Sequence, residues 1–299
     1  MLQQYDPRNA NLQIFVGEGL KPRNEARVSV FDSSVQGGDG VWEGLRVYRE
    51  GILHLDKHLQ RMFDSAHALA FQEVPTETFI RDAMRTTLTA NGMEDEVHIR
   101  LTLTRGVKVT SGMDPRLNQS GPVLIVLAEW KPMVYDNAQG IEVITSSQRR
   151  NAPQFLDSKI HHNNLLNNIL AKVQANVAGV DAAIMLDENG FIAELNDTNV
   201  FLIKDDVLWT PRPVACLPGI TRGHVMDVAR QNDWDCRETD ISLTELYTAD
   251  IAFATGTMGG LTPITRADGR SIGNARGTNR FRALDALVKS DIPNRCSMP

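Results

Sequence analysis

Residues 27–31, Arg27-Val28-Ser29-Val30-Phe31, alternate polar and apolar side chains, and that period of two predicts a half-buried strand. Two short apolar runs, 44–48 and 51–55, flank Arg49-Glu50 and read as the arms of a hairpin. The period then changes. Leu59, Met62, Phe63, Ala66 and Leu69 recur every three or four positions, which predicts a helix over 56–70 with Asp56 as its N-cap. A second helix is predicted over 76–91, closed by Gly92. Alternation returns at Val97–Thr104, and 122–128 is a short apolar strand. Residues 131–140 (KPMVYDNAQG) place Pro, Asp, Asn and Gly between two strand patterns and form the predicted linker. Beyond it the pattern predicts a strand at 141–145, an irregular stretch to Ser158 and a helix at 163–177. Strands at Ala182–Leu186 and 200–203 surround the turn Asp187-Glu188-Asn189-Gly190, and a helix follows at 221–231. Ser242-Leu243-Thr244-Glu245 has capping-box spacing and leads into Leu246. A strand at 251–254 runs into Thr255-Gly256-Thr257-Met258-Gly259-Gly260. This order suggests two α+β or α/β units rather than one doubly wound sheet, with an N-terminal domain over 1–130 and a C-terminal domain over 141–299.

Length agrees with that division: 299 residues against roughly 150 per domain. The net charge of −6 leaves no global basic field for a nucleic-acid backbone. Cys216, Cys236 and Cys296 are far apart and odd in number, so neither a disulfide scaffold nor a CxxC zinc site is expected. The first residues lack the basic and apolar blocks of a signal peptide, and no apolar run reaches 18 residues. The expectation is a soluble, cytoplasmic protein with no nucleic-acid or membrane partner.

Chemistry is carried by five short segments. Gly37-Gly38-Asp39-Gly40 lacks GxGxxG spacing and precedes a strand, which fits a tight bend near a cleft better than a dinucleotide fingerprint. Leu217-Pro218-Gly219-Ile220-Thr221-Arg222 opens a helix, and free N–H groups at a helix N-terminus beside a Thr hydroxyl can cradle a phosphate. Thr255-Gly256-Thr257 ends a strand with similar donors, and each segment alone is also compatible with a plain cap or turn. Lys159 precedes a helix rich in Asn and Leu. It is either a solvated charge or a partly desolvated lysine able to act as nucleophile and proton shuttle. His161 and His162, adjacent on the chain, do not converge on one metal ion, and no metal is expected. Glu194 follows an apolar strand segment and pairs either with a surface cation or, if buried, with a cationic partner such as a cofactor's ring nitrogen.

These pieces occur together and in order. Gly40-Val41-Trp42-Glu43-Gly44-Leu45-Arg46-Val47-Tyr48, His58-Leu59-Gln60-Arg61-Met62, Lys159, Gly190-Phe191-Ile192-Ala193-Glu194, Asn199, Thr210-Pro211, the 217–222 segment and Gly256-Thr257 resemble the class IV (fold type IV) pyridoxal-phosphate aminotransferases. The branched-chain enzymes look most similar, and D-amino-acid aminotransferases are related. The resemblance spans roughly residues 25–270 and implies the two-domain fold type IV architecture. It implies that Lys159 carries pyridoxal 5'-phosphate covalently and moves the substrate proton. It gives Glu194 the ring nitrogen, which keeps the ring an electron sink. It gives Arg61 the phosphate, in a bidentate geometry a lysine could not copy. Leu217, Gly219, Ile220, Thr221, Gly256 and Thr257 complete the cofactor cup, with Asn164 and Asn199 beside the ring. On the substrate side it implies Gly37, Trp42, Arg46, His98, Arg100, Trp130, Thr257 and Met258.

The implied activity is ping-pong transfer of an amino group between a branched-chain-like amino acid or glutamate and a 2-oxo acid. The implied assembly is a homodimer or higher homo-oligomer, with the site between two domains. Three departures bear on the substrate: Asn164, Gly37 and His98 stand where branched-chain enzymes usually carry tyrosines. Together with Thr104-Arg105-Gly106, similar to a carboxylate-binding motif of D-amino-acid enzymes, they keep a second reading open: a D-amino-acid or (R)-amine transaminase, or an aminodeoxychorismate lyase-like enzyme. The lost tyrosines also raise a catalytically silent scaffold, against which Lys159 and Glu194 stand.

Overall fold

The structure, a computed structural model, describes residues 5–299. It divides into two compact units. The first holds residues 5–132 together with Ile160–Asn164 and Pro293–Pro299. The second holds Met133–Lys159 and Leu165–Ile292. The two short returns of the chain to the first unit carry no compositional signal, so a single contiguous division at 131–140 does not include them.

The first unit contains β1 (Gln13–Val16), β2 (Gly19–Pro22), α1 (Ser33–Gly37), β3 (Gly40–Tyr48), β4 (Gly51–Leu53), α2 (Leu55–Ala68), α3 (Glu77–Asn91), β5 (Val97–Thr104) and β6 (Val123–Trp130). The second contains β7 (Ile141–Arg149), α4 (Leu166–Val177), β8 (Ala182–Leu186), β9 (Ile192–Leu195), β10 (Asn199–Lys204), β11 (Val207–Pro211), α5 (Ile220–Gln231), β12 (Cys236–Thr239), α6 (Leu243–Tyr247), β13 (Ile251–Gly256), β14 (Gly260–Ala267), β15 (Arg270–Ser271) and α7 (Ala275–Asp291). A last strand, β16 (Cys296–Ser297), returns to the first unit.

The first unit's sheet is antiparallel, in the order β16-β4-β3-β5-β6-β1-β2. Alternation along β3 sends Val41, Leu45 and Val47 into a core with Leu55, Leu59, Met62 and Ala66 from α2 and Ile80, Met84 and Leu88 from α3. Helix α3 ends at Gly92 as predicted, and its N-cap is Thr76. The Thr76 hydroxyl accepts from Phe79 N, and Gly92 ends the helix in the left-handed region at φ 63°. Helix α2 departs from expectation: it starts at Leu55 after left-handed His54, and Asp56 sits in its first turn rather than at the cap. The predicted strand at 27–31 is absent. The chain turns there, with Asp32 N donating to Ser29 O, and Val28, Val30 and Phe31 are exposed. An alternating pattern makes a strand only where a neighbour supplies a ladder.

The second unit's sheet is mixed, in the order β12-β11-β10-β13-β14-β7-β8-β9 with β15 on β14. Three pairs are parallel: β11 with β12, β14 with β7, and β7 with β8. One face packs Ile184, Leu202 and Ile264 into one cluster, and α5 and α7 close another around stacked Phe201 and Phe253. The capping box at Ser242 and Glu245 forms as predicted. Helix α4 starts at Leu166 rather than 163, because the preceding residues are tied to β3: Asn163 N donates to Gly40 O and His162 bridges Val41. Among the described residues no helix is long and apolar enough to cross a membrane.

Candidate active site

The second unit gathers most of the predicted cofactor residues. Glu194 lies on β9, 5% exposed, with its carboxylate facing two partners. Arg150 Nε stands 2.7 Å from Oε1, and Asn199 Nδ2 donates to Oε2 at 3.1 Å. Burial raises the Glu194 pKa to about 7, against the pull of Arg150. Arg150 is itself buried and donates to Asn168 on α4 at 2.8 Å, and Asn168 donates to Asn196 O. Asn199 also donates to Leu217 O at 2.9 Å, so the ring-nitrogen candidate and the 217–222 segment share one amide.

Gly219 is the N-cap of α5 and supplies no capping side chain, which leaves the first-turn N–H groups of Ile220 and Thr221 to another acceptor. A Cβ at Gly219 would lie 1.9 Å from Asn199 Oδ1, so only glycine admits this approach. Asn199 pairs with Thr255 across β10 and β13, and the buried Thr255 hydroxyl has no hydrogen-bond partner among the described residues. Gly256 opens the turn that carries Thr257 and Met258, and Gly259 N closes it on Gly256 O at 3.1 Å. Lys159 is exposed. Its backbone N–H donates to Asp157 at 3.0 Å, and its Nζ stands 3.9 Å from the same carboxylate. Thr210 and Pro211 serve a different purpose, since they anchor Arg222 through Thr210 Oγ1 and Pro211 O.

The first unit holds the predicted phosphate arginine and the substrate group. Arg61 on α2 donates Nε and Nη2 to the two oxygens of buried Glu43, at 2.8 and 2.7 Å. On the opposite face of β3, cross-strand pairing sets Arg46 against His98 and Gly44 against Arg100. Arg100 lies 3.9 Å over the Trp42 ring, and Arg46 donates to Lys131 O at 2.6 Å. Arg46 Nε is buried without a hydrogen bond, and among the described residues no carboxylate lies within ion-pair distance of Arg46 or Arg100. Burial lowers the His98 pKa to about 3, helped by Lys131, Arg100 and Arg46, so its imidazole is neutral.

Trp130 does not join this group. It pairs with Val97, packs against the core face of the sheet and stacks under Arg8. The resemblance grouped it with His98, but the pleat sends its side chain to the other face. Asn164 is exposed, and its Cβ lies 3.5 Å from where a Cβ of Gly38 would stand. Gly37 is exposed at the end of α1, and a side chain there would meet nothing within 4 Å. Arg105 is fully engaged: Asp39 takes it in a fork, Leu69 and Ala70 carbonyls accept from it, and Phe71 lies beneath. It offers no fork to a substrate carboxylate. Among the described residues no group of His, Cys, Asp and Glu could hold a metal ion.

Sequence reasoning missed Arg150, Asn168 and the role of Glu43. A signal existed for Glu43, the one charged residue in the otherwise apolar set 41, 43, 45, 47. Arg150 lay in a stretch without periodicity and had none.

Comparison with known proteins places the chain in a family. Residues 40–267 match the family model for amino-transferase class IV. A branched-chain-amino-acid aminotransferase-like protein 2 of Arabidopsis thaliana is 56% identical over 90% of this chain. The chain spans about half the length of that relative, 48%. A putative branched-chain-amino-acid aminotransferase of Methanocaldococcus jannaschii is 38% identical over 88% of this chain and 90% of its own. Among solved structures, the branched-chain aminotransferase of the thermophilic archaeon Thermoproteus uzoniensis with norvaline superposes with a TM-score of 0.86 at 26% identity, covering 95% of this chain and 96% of its own.

Proposed function

Because the chain belongs to the class IV aminotransferases, we propose that it is a pyridoxal-phosphate-dependent transaminase that moves an amino group between an amino acid and a 2-oxo acid by ping-pong turnover. One observation carries the reading: Glu194, buried and held by Arg150 and Asn199, shares its amide partner with the uncapped α5 terminus, in the same unit as Lys159. A carboxylate poised near neutrality in an apolar setting fits a protonated pyridine nitrogen, and an uncapped helix start fits a phosphate. The pyridine ring, when bound, supplies the sink for the electron pair released at the substrate Cα.

The protein's own groups do the rest. Lys159 would hold the cofactor and carry the proton from substrate Cα. Glu194 would accept from the ring nitrogen, and Asn199 keeps Glu194 and Leu217 in register. Ile220, Thr221 and Thr257 would supply N–H and O–H donors to phosphate oxygens, and Arg61 is the guanidinium expected to serve the same group.

Glutamate with 2-oxoglutarate is the expected shared pair, beside a branched-chain-like partner. The support is Arg46 and Arg100, two guanidiniums on one sheet face without a carboxylate, which suits a substrate carrying a second negative charge. The occupied Arg105 disfavours the D-amino-acid alternative. The test is spectral. Reconstituted protein is expected to be yellow and to change its visible absorbance on adding L-glutamate. A colourless product after reconstitution sinks the assignment, and turnover of D-donors alone sinks the substrate reading.

A homodimer is the expected assembly. On α4, Leu166, Ile169, Leu170, Val173 and Val177 are exposed at helical spacing. The helix has no acidic residue, and its one lysine, Lys172, is turned onto Asp181 O. Two copies of this face meet without charge repulsion and would bury on the order of 1,000 Å² together, the threshold for a specific interface. A cytoplasmic location fits the three cysteines, none in a disulfide.

A further inference from the structure

Position 43 faces the core between β3 and α2, where its neighbours at 41, 45 and 47 are apolar and buried. A carboxylate there is tolerable only if every oxygen is answered. The answers are specific. Arg61 takes both oxygens, at 2.8 Å to Oε1 and 2.7 Å to Oε2. His58, one turn earlier on α2, places Nδ1 2.6 Å from Oε2. His161 places Nδ1 3.1 Å from Oε1. Burial alone would raise Glu43, but His161 and Arg61 hold it well below the usual carboxylate range. Burial lowers His58, and lowers His161 to about 4, so each serves as a neutral N–H donor at pH 7.

His161 stands two residues beyond Lys159. Its N–H donates to Ser65 Oγ at 3.1 Å, its carbonyl accepts from Trp42 N at 2.9 Å, and its ring lies 4.2 Å from the Trp42 ring. One buried carboxylate therefore ties together the arginine on α2 and the chain that leaves the lysine.

We propose that Glu43 is a positioning residue for the cofactor phosphate: by taking the Nε–Nη2 edge of Arg61 it fixes the plane of the guanidinium and the direction of its outer Nη end, and through His161 it anchors the segment after Lys159 to the same point. The proposal rests on the reading of Arg61 as a phosphate ligand. Its sign is informative. By charge alone, removing Glu43 leaves Arg61 more positive and strengthens phosphate binding. If orientation governs, the same change weakens it, because a guanidinium grips a phosphate well only in the plane of its fork.

The experiment titrates the full-length apoprotein with pyridoxal phosphate and, separately, with unphosphorylated pyridoxal, following visible absorbance. Glu43→Gln is expected to lose about tenfold in affinity for pyridoxal phosphate and to keep its affinity for pyridoxal. Its thermal stabilisation by inorganic phosphate is expected to shrink in parallel. Equal losses for both aldehydes would mark a general lesion and overturn the proposal, as would unchanged or tighter binding of the phosphorylated form. His58→Gln, which keeps the charge at position 43, is expected to show the same phosphate-selective loss at about threefold, and it carries the test if Glu43→Gln does not fold. Arg61→Gln separates the two layers. If it leaves pyridoxal phosphate binding intact, the phosphate reading of Arg61 fails. If it weakens binding while Glu43→Gln does not, only the positioning role fails.

Discussion

The charge state of Glu194 makes a prediction about the apoprotein that needs no substrate. An unfolded glutamate titrates near 4.5, and burial in the folded second unit moves Glu194 to about 7. Between these values the native state holds a proton that the unfolded chain has released, so stability falls as pH rises. The favourable contribution is complete below about pH 4.5 and gone once pH passes about 7. Each tenfold difference in proton affinity between the folded and unfolded chain is worth about 1.4 kcal/mol, so the change across the window is about 3 kcal/mol. Arg150 already opposes the rise from 2.7 Å, and what remains measures how far one buried guanidinium falls short of solvating a carboxylate. Urea unfolding of the cofactor-free protein at half-unit steps from pH 4.5 to 8 reads the effect. Subtracting the same curve for Glu194→Gln removes every other titrating group. The difference is expected to run against the wild type by about 3 kcal/mol from the bottom of the window to the top. With cofactor bound, a cation at the ring nitrogen would meet the anion and the slope would flatten. A difference curve that is level, or that favours the wild type as pH rises, would refute both the raised pKa and the idea that this carboxylate awaits a cation.

Three further outcomes follow from the geometry. Gly219→Ala places a methyl where Asn199 Oδ1 now stands at 1.9 Å. It is expected to cost about 2 kcal/mol in urea unfolding and at least about tenfold in pyridoxal phosphate affinity, since the displaced amide serves both Glu194 and Leu217. Ile169→Lys puts a charge in the exposed aliphatic face of α4 and is expected to convert a dimer to monomer by light scattering with the melting curve of the remaining fold retained. An unchanged mass would move the interface elsewhere. Arg46→Gln is expected to raise KM for glutamate about tenfold while leaving KM for leucine within about twofold, and equal effects on both donors would remove Arg46 from second-carboxylate recognition.

What the chain made legible, and what it hid, follows from the range of each interaction. Gly92 closes α3 as predicted because capping involves residues within one turn of each other. The Ser242–Glu245 box formed for the same reason. Asp56 failed as a cap because the hairpin delivers the chain through left-handed His54, whose N–H is held by Arg295 O from the far end of the sequence. The strand at 27–31 failed for want of a partner, and Trp130 lies on the face opposite His98 because cross-strand register, invisible in one strand, decides which face a side chain takes. The same rule governs the candidate site. The glycines, Lys159 and Glu194 could be picked out only together, because the order of their short segments resembles a known family. The residues that set their properties sit far off in sequence: Arg150 is 44 positions before Glu194, and His161 is 118 after Glu43. Groups that touch a ligand leave local motifs, whereas groups that tune them are chosen by where the fold brings a buried charge its answer. A charged residue inside an apolar period is therefore the most informative trace a sequence carries of such a partner. Glu43 among Val41, Leu45 and Val47 was that trace, and the structure supplies its answer in Arg61, His58 and His161.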